Sequence, residues 1–419
     1  MDNTGWFQKA KYGLFIHWGL YCMLGGIWQG KQTPFGSEWI MRNRKIPLSE
    51  YKKLTSEFNP QNFCALDYVK KAKKWGMKYI VLTAKHHDGF AMYDSKVSDY
   101  TIMNTPYGKD IVRQFADACA QENMVFGIYY SQMQDWEDPN GDGNDWDFNP
   151  AEKRFETYFN QKVIPQVREL LTGYGKIGLI WFDTPYDMPV HLCKKLAEEV
   201  KKCQPDCLIN GRIGYGFGDY RQMADNSIPH RVYHGPWEVP MTLNHSWGYS
   251  KFDFDFAEDE TVVDRLSMIA GKGGNLLLNI GPDENGEIPQ KSEIVLDRVG
   301  QWLYKNGQSI YNSEAIDDFP YMIPWGNITY VKETGCLYFH VKKYPALMPR
   351  IALIGLKNKV LSVKLLETGE PLRFGQTYEK ARDENRLAIF LPKDCPDTRD
   401  TVLAVEIEGI PDIQRLSCE

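Results

Sequence analysis

The sequence predicts a TIM-like (β/α) barrel followed by an antiparallel β-sandwich. Three observations carry that expectation. Short, continuously apolar runs alternate with amphipathic helical stretches as far as about residue 310, the pattern of a parallel sheet covered by helices. No GxGxxG follows the first apolar run, so a closed barrel fits the repeat better than an open dinucleotide-binding sheet. Beyond about residue 315 the runs shorten and turn residues separate them, as in a sandwich. A chain of 419 residues holds a barrel of about 250 residues or more and a smaller module besides. The expected division is a catalytic barrel over 1–312 and a sandwich over 313–419.

Each element has its own signal. The first strand candidate lies within Lys11 to Gly19. Asp67 to Trp75 reads as helix, because Tyr68, Val69, Ala72 and Trp75 share one helical face among lysines. Lys78 to Thr83 is a continuous apolar strand, Ile111 to Gln121 a helix and Val125 to Tyr130 a strand. Helix Phe155 to Tyr174 precedes strand Ile177 to Phe182, and helix Val190 to Cys203 precedes a short strand at Cys207 to Asn210. Helix Val262 to Ala270 leads to strand Asn275 to Ile280. The sandwich strands are expected at Tyr330–Val331, Cys336 to Val341, Arg350 to Leu353, Val360 to Leu366, Leu387 to Leu391 and Thr401 to Ile407, with Gly335, Asn358, Gly369, Gly375 and Asn385 among the turn residues.

Composition narrows the function. Hydrophobic residues make up 43% and charged residues 25%, as in a globular protein in water. The net charge of −6 is spread along the chain, so neither a nucleic-acid stripe nor a polybasic membrane patch is present. No run of 18 apolar residues suggests a transmembrane span, and the N-terminus has no signal-peptide pattern, so a cytoplasmic location is expected. The nine cysteines are scattered, without zinc spacing, and are expected to be reduced thiols. The 12 tryptophans and 24 tyrosines serve mostly for core packing, but they also suit a sugar, whose C–H faces pack on rings. Oligomeric state stays open, a homo-oligomer included.

In a barrel of this kind the reactive groups sit at the C-terminal ends of the strands. The apolar runs here end in His17-Trp18-Gly19, Lys85-His86-His87-Asp88-Gly89-Phe90, Tyr129-Tyr130-Ser131, Trp181-Phe182-Asp183 and Gly211-Arg212. Five polar or aromatic ends in succession describe a site for a small polar ligand. Asp183 ends a buried strand, where a carboxylate is costly unless paired. It is either a helix N-cap or a reactive group. Trp181, two residues away, shares its side of the strand. His86 and His87 lack HxH or HExxH spacing, and adjacent strand residues point oppositely, so hydrogen bonds to hydroxyls explain them better than a metal does. No metal and no cofactor is expected.

Several blocks together resemble glycoside hydrolase family 29, the α-L-fucosidases. They are Phe15-Ile16-His17-Trp18-Gly19, Glu38-Trp39, Lys85 to Phe90, Tyr129-Tyr130-Ser131, Trp181-Phe182-Asp183, Trp237-Glu238, Ser246-Trp247-Gly248-Tyr249 and Gly273 to Pro282, in family order over roughly residues 6 to 310. A C-terminal β-sandwich also fits that family. The resemblance implies a retaining exo-α-L-fucosidase acting on a fucosylated oligosaccharide or glycoconjugate, with Asp183 as nucleophile. His17, Glu38, Trp39, His86, His87, Tyr129, Trp181 and Arg212 match positions that line the fucose pocket. Trp247 matches an aromatic beside the C5 methyl, and burying one methyl there favours fucose over galactose by about 1 kcal/mol.

The resemblance leaves two candidates for the acid/base. Asp225 follows Gly218-Asp219-Tyr220 and stands 42 residues after Asp183 (225 minus 183), with Asp where many relatives have Glu. Glu238, in Trp237-Glu238, is the second. Asp225 is favoured, because Arg212 precedes it at about the family's spacing. Loops near 25–35 and 134–149 are expected to line the leaving-group side. The alternatives to this function are a glycosidase of the same architecture for another sugar, such as an α-L-galactoside, and a non-catalytic fucose-binding protein.

Overall fold

The computed structural model describes residues 3–345 and 347–415. Eight strands run parallel: β1 (Tyr12–Ile16), β2 (Tyr79–Lys85), β3 (Val125–Tyr130), β4 (Leu179–Phe182), β5 (Leu208–Ile209), β6 (Arg221–Gln222), β7 (Trp237–Thr242) and β8 (Asn275–Ile280). Their hydrogen-bonded order is β5-β4-β3-β2-β1-β8-β7-β6. A parallel bridge between Asn210 and Tyr220 joins the two end strands and closes the sheet into a barrel.

Alternation along each strand splits the apolar residues between two layers. Tyr12, Leu14 and Ile16 of β1 face the helices, while Phe15 turns inward to join Tyr79, Val81, Tyr129, Leu179, Trp181, Leu208 and Leu277 in the barrel interior. Gly13 is required opposite the Tyr79 ring, because a Cβ there would lie 2.4 Å from it. The covering helices include Ala65–Lys74, Ile111–Glu122, Ile164–Gly173, Val190–Cys203, Asp259–Gly271 and Gln290–Asn306.

Besides a short hairpin of Ile27–Trp28 with Lys31–Gln32, the strands beyond the barrel are β9 (Gly326–Val331), β10 (Cys336–Val341), β11 (Arg350–Ile354), β12 (Val360–Leu365), β13 (Phe374–Glu379), β14 (Glu384–Phe390) and β15 (Thr401–Ile407). These seven form two antiparallel sheets, β9-β10-β15-β12 and β11-β14-β13, packed around their own core of residues such as Leu337, Phe339, Leu353, Leu387, Leu403 and Val405. The sandwich predicted from sequence is present.

The structure adds elements that the sequence pattern hid. Strand β7 reads WEVPMT, and its buried Glu238 and Pro240 interrupt the apolar run that would have marked it. Strand β6 is two residues long. Strand β13 is largely polar because most of its side chains meet water. Helix Gln290–Asn306 buries Val295, Leu296, Val299, Trp302 and Leu303 on one face, a helical period that was legible but unassigned. The helix expected over 155–174 is broken by a π-helical turn at Phe159–Val163. The eight described cysteines are free thiols, and the ninth, Cys418, lies outside the described residues.

Candidate active site

Asp183 follows β4 at the C-terminal mouth of the barrel and is 8% exposed. Its backbone is fixed first. Asn210 pairs with both the N–H and the carbonyl of Phe182 at 2.8 and 2.9 Å, and Gln132 Oε1 accepts the Asp183 N–H at 2.8 Å. Thr184 then takes a left-handed conformation (φ 43°) and donates its N–H to Asp183 Oδ1 at 2.9 Å. A β-branched residue in that region stores strain, which accumulates at functional sites.

The carboxylate is held from two sides. The Tyr129 hydroxyl donates to Oδ2 at 3.0 Å, and Arg212 Nη1 to Oδ1 at 2.8 Å. The other terminal nitrogen of Arg212 binds Asp225, so one guanidinium holds both carboxylates. The guanidinium also sits 4.9 Å above the Trp181 ring. Loss of water raises the Asp225 pKa above the ordinary carboxylate range, Arg212 pulls it back and the charge on Asp183 adds to the rise.

Three histidines complete the floor. His17 Nδ1 is 2.7 Å from Asn279 Oδ1, and the Asn279 amide nitrogen is committed to the Trp247 carbonyl at 2.7 Å. His17 therefore donates through Nδ1 and leaves Nε2 as an acceptor. Burial lowers its pKa to about 4, so the ring is neutral at pH 7. His87 Nδ1 is 2.7 Å from the Ser131 hydroxyl, whose own proton goes to the Gln134 carbonyl at 2.7 Å. Its Nε2 is thus an acceptor too, 3.6 Å from Asp183 Oδ2. Two acceptors at that spacing suit a ligand hydroxyl donating between them. His86 stacks on Tyr129 at 5.3 Å and keeps a buried Nδ1 without a partner. Burial holds both His86 and His87 well below the usual imidazole pKa.

The sequence expectation that His86 and His87 point apart is corrected. Strand β2 ends at Lys85, and both rings turn to the mouth with centroids 4.2 Å apart. The turn is braced from beneath. Lys85 Nζ meets Asp135 Oδ2 at 2.7 Å, both groups fully buried, and Lys162 meets Asp135 at 2.9 Å. Burial alone would raise the Asp135 pKa, but Lys162 and Lys85 hold it well below the carboxylate range. Gly89 (φ 80°) lies against Asp135, where a Cβ would come within 2.3 Å of Oδ1. The loop 134–149 buries Asp135, Trp136 and Asn144 completely, bracing that turn.

Trp39 and Trp247 form walls. Trp39 lies 4.8 Å from the His87 ring and Trp247 lies 5.0 Å from the His17 ring. Glu38 accepts the Gly248 N–H at 2.9 Å beside Trp247, and burial pushes its pKa up to about 7. Two candidates sit lower than expected. Trp181 is 2% exposed and stacks on Tyr129 at 5.5 Å inside the barrel, below the mouth. Glu238 lies near the start of β7, fully buried, and accepts Tyr79 OH at 2.6 Å and Trp181 Nε1 at 2.9 Å. Burial pushes its pKa up to about 7. The sequence reading did not single out Gln132, Asn279 or Tyr79; amides and a strand tyrosine carry no spacing signal of their own.

The mouth thus joins a fixed carboxylate, a second carboxylate on the same guanidinium, neutral imidazole acceptors and aromatic walls. The alpha-L-fucosidase family model matches residues 1–308. The chain belongs to the α-L-fucosidase family. It is a glycoside hydrolase, and its barrel and sandwich are those of solved family members. The α-L-fucosidase of Vibrio sp. strain EJY3 is 34% identical, superposes with a TM-score of 0.93, and is matched over 98% of this chain and 74% of its own. The α-L-fucosidase of Lactobacillus casei, solved with α-L-fucose product, is 38% identical with a TM-score of 0.70, over 74% of this chain and 100% of its own. Plasma α-L-fucosidase of Rattus norvegicus is 30% identical over 74% of this chain and 71% of that protein.

Proposed function

We propose that the protein is a retaining exo-α-L-fucosidase that releases terminal α-L-fucose from glycans by double displacement, with Asp183 as nucleophile and Asp225 as acid/base. The observation that carries this reading is the sharing of Arg212 by Asp183 and Asp225. Retention needs carboxyls about 5–5.5 Å apart, whereas inversion needs about 6.5–9.5 Å to admit a water. Two carboxylates on one guanidinium favour the shorter separation.

Asp183 attacks the anomeric carbon while Asp225 gives its proton to the departing oxygen. The covalent fucosyl ester removes the charge from Asp183. Arg212 then faces Asp225 alone, the Asp225 pKa falls, and Asp225 takes the proton of the water that cleaves the ester. Neutral His17 and His87 accept sugar hydroxyls through Nε2. Trp247 supports fucose over a sugar with a 6-hydroxyl, consistent with the fucose held by the L. casei relative. Fucosylated oligosaccharides and glycoconjugates are the proposed substrates.

The test is p-nitrophenol release from the p-nitrophenyl α-L-fucoside, beside the β-D-fucoside and the α-L-galactoside. Release from the α-L-fucoside alone is expected, with Asp183→Asn slowing it by about 10⁴-fold or more. Equal release from the α-L-galactoside, or substantial activity in Asp183→Asn, overturns the reading.

A further inference from the structure

A cleft of about 450 Å³ opens beside the acid/base, lined by Asn226, Thr242, His245, Trp247, Phe256 and Arg265 among others. Asn226 follows Asp225 directly and is pinned there by the Thr242 N–H, which donates to Asn226 Oδ1 at 2.9 Å. Arg265 projects from helix Asp259–Gly271 and is half-buried. Among the described residues it makes no ion pair and no side-chain hydrogen bond. Two carboxylates of its own helix are engaged elsewhere, Asp264 by Lys342 and Asp259 by Arg298 at 3.5 Å, and the third, Glu260, is exposed in the first turn. The cleft's one lining carboxylate, Asp255, is 85% exposed and paired with His245 at 3.1 Å. Burial lowers the Arg265 pKa with no carboxylate to offset it.

We propose that this cleft receives the sugar next to fucose and that Arg265 binds an oxyanion on it, a sulfate ester or a carboxylate. The proposal rests on the reading of Asp225 as the acid, since the leaving group departs on that side. A guanidinium offers a planar fork of donors that matches either oxyanion, and the partly desolvated site strengthens the bond. Trp247 and Phe256 give the ring of that sugar two aromatic walls. Asp255 lies in solvent against His245, which leaves Arg265 as the cleft's half-buried charge.

The experiment compares a neutral fucosylated oligosaccharide with two derivatives bearing a sulfate or a carboxylate on the residue joined to fucose. The wild-type enzyme is expected to favour at least one charged substrate by about tenfold in kcat/KM, through a lower KM. Arg265→Gln is expected to erase that preference and Arg265→Lys to retain part of it. Which derivative is favoured separates sulfate from carboxylate. No charge preference in the wild type, or an equal loss on all substrates in Arg265→Gln, overturns the proposal. Failure to release fucose from any of the three overturns the fucosidase reading instead.

Discussion

Asp225 and Glu238 both have raised pKa values, yet their surroundings differ in the one respect that matters to an acid catalyst, access to the leaving oxygen. The Asp225 side chain is 41% exposed and faces Asp183 across Arg212, whereas Glu238 is sealed below Trp181. Asp225→Asn is therefore expected to slow natural glycans by about 10²–10⁴-fold and aryl fucosides far less, because a nitrophenolate departs without a proton. The acid works protonated, so wild-type kcat/KM on glycans should fall as pH rises through the Asp225 pKa, and that basic limb should vanish in Asp225→Asn. Glu238→Gln should show no leaving-group dependence. Its effect belongs to stability. The folded pKa of Glu238 is about 7, above an unfolded value of about 4.3. Below the lower value both states are protonated and no penalty applies. Between the two the unfolded chain ionises first, so stability is lost as pH rises and levels off above about 7. A glutamine does not titrate, so the Tm of Glu238→Gln relative to wild type should climb between pH 4.5 and 7. A flat difference would show that the site holds the charge without cost.

At the scale of elements, the shortest strands of the barrel lie beside the proposed acid/base. Strands β5 and β6 have two residues each and touch through the Asn210–Tyr220 bridge. The connection between them holds Arg212 and leads to Asp225. Asp219 fastens it, accepting the Ile209 N–H at 2.8 Å and Lys201 at 2.7 Å. Gly218 lies so close to Asn210 that a Cβ would come within 2.6 Å of its carbonyl oxygen. Gly218→Ala should force the connection outward, and a displacement of about 1 Å in the catalytic groups costs about 10²-fold. The expected outcome is a kcat loss of that order with a small change in Tm, measured on the aryl fucoside; unchanged kcat would mean the connection is supple. These same elements mark the limit of what the sequence discloses. Strands β3 and β8 coincide with their apolar runs because both faces are buried. Asp183, the histidines and Arg212 were legible because each follows such a run. Strands β6 and β7 were not, because one is too short for any period and the other puts a glutamate and a proline where apolar residues would announce it. The depth of Trp181 and the joint orientation of His86 and His87 depend on strand ends and tertiary closure, which no local period records.

For the whole molecule, the two sheets beyond the barrel do not hang from it on a linker. Val331, Tyr338, Val402 and Ala404 of the four-stranded sheet pack into the cluster formed by the barrel's helices and strands, while Leu337, Phe339, Leu403 and Val405 fill the sandwich core behind. That sheet is apolar on both faces, one closing the sandwich's own core and the other packing on the barrel. The attachment lies on the side away from the active site. Asn312 donates its N–H to the Lys9 carbonyl at 3.2 Å, Tyr311 OH to the Gly76 carbonyl at 2.5 Å, and Ala315 closes on Gly273, positions that precede β1, β2 and β8. Trp302, fully buried, is the centre of this junction: its indole N–H donates to the Asp400 carbonyl at 3.1 Å, and the Asp400 carboxylate meets His340 Nδ1 at 2.7 Å. The other His340 nitrogen faces the Thr329 hydroxyl at 3.1 Å, which spends its proton on the Ser309 carbonyl at 2.6 Å, so His340 donates there. Trp302→Ala removes the packing and leaves the Asp400 carbonyl without its donor, a loss of about 3–5 kcal/mol. Thermal unfolding followed by near-UV circular dichroism should show a Tm lower by several degrees, while kcat/KM at 25 °C stays within about twofold, because the attachment meets the barrel at positions that precede the strands, opposite the mouth. A fall in kcat/KM of tenfold or more would instead mean that the sandwich sets the geometry of the barrel mouth from its far end.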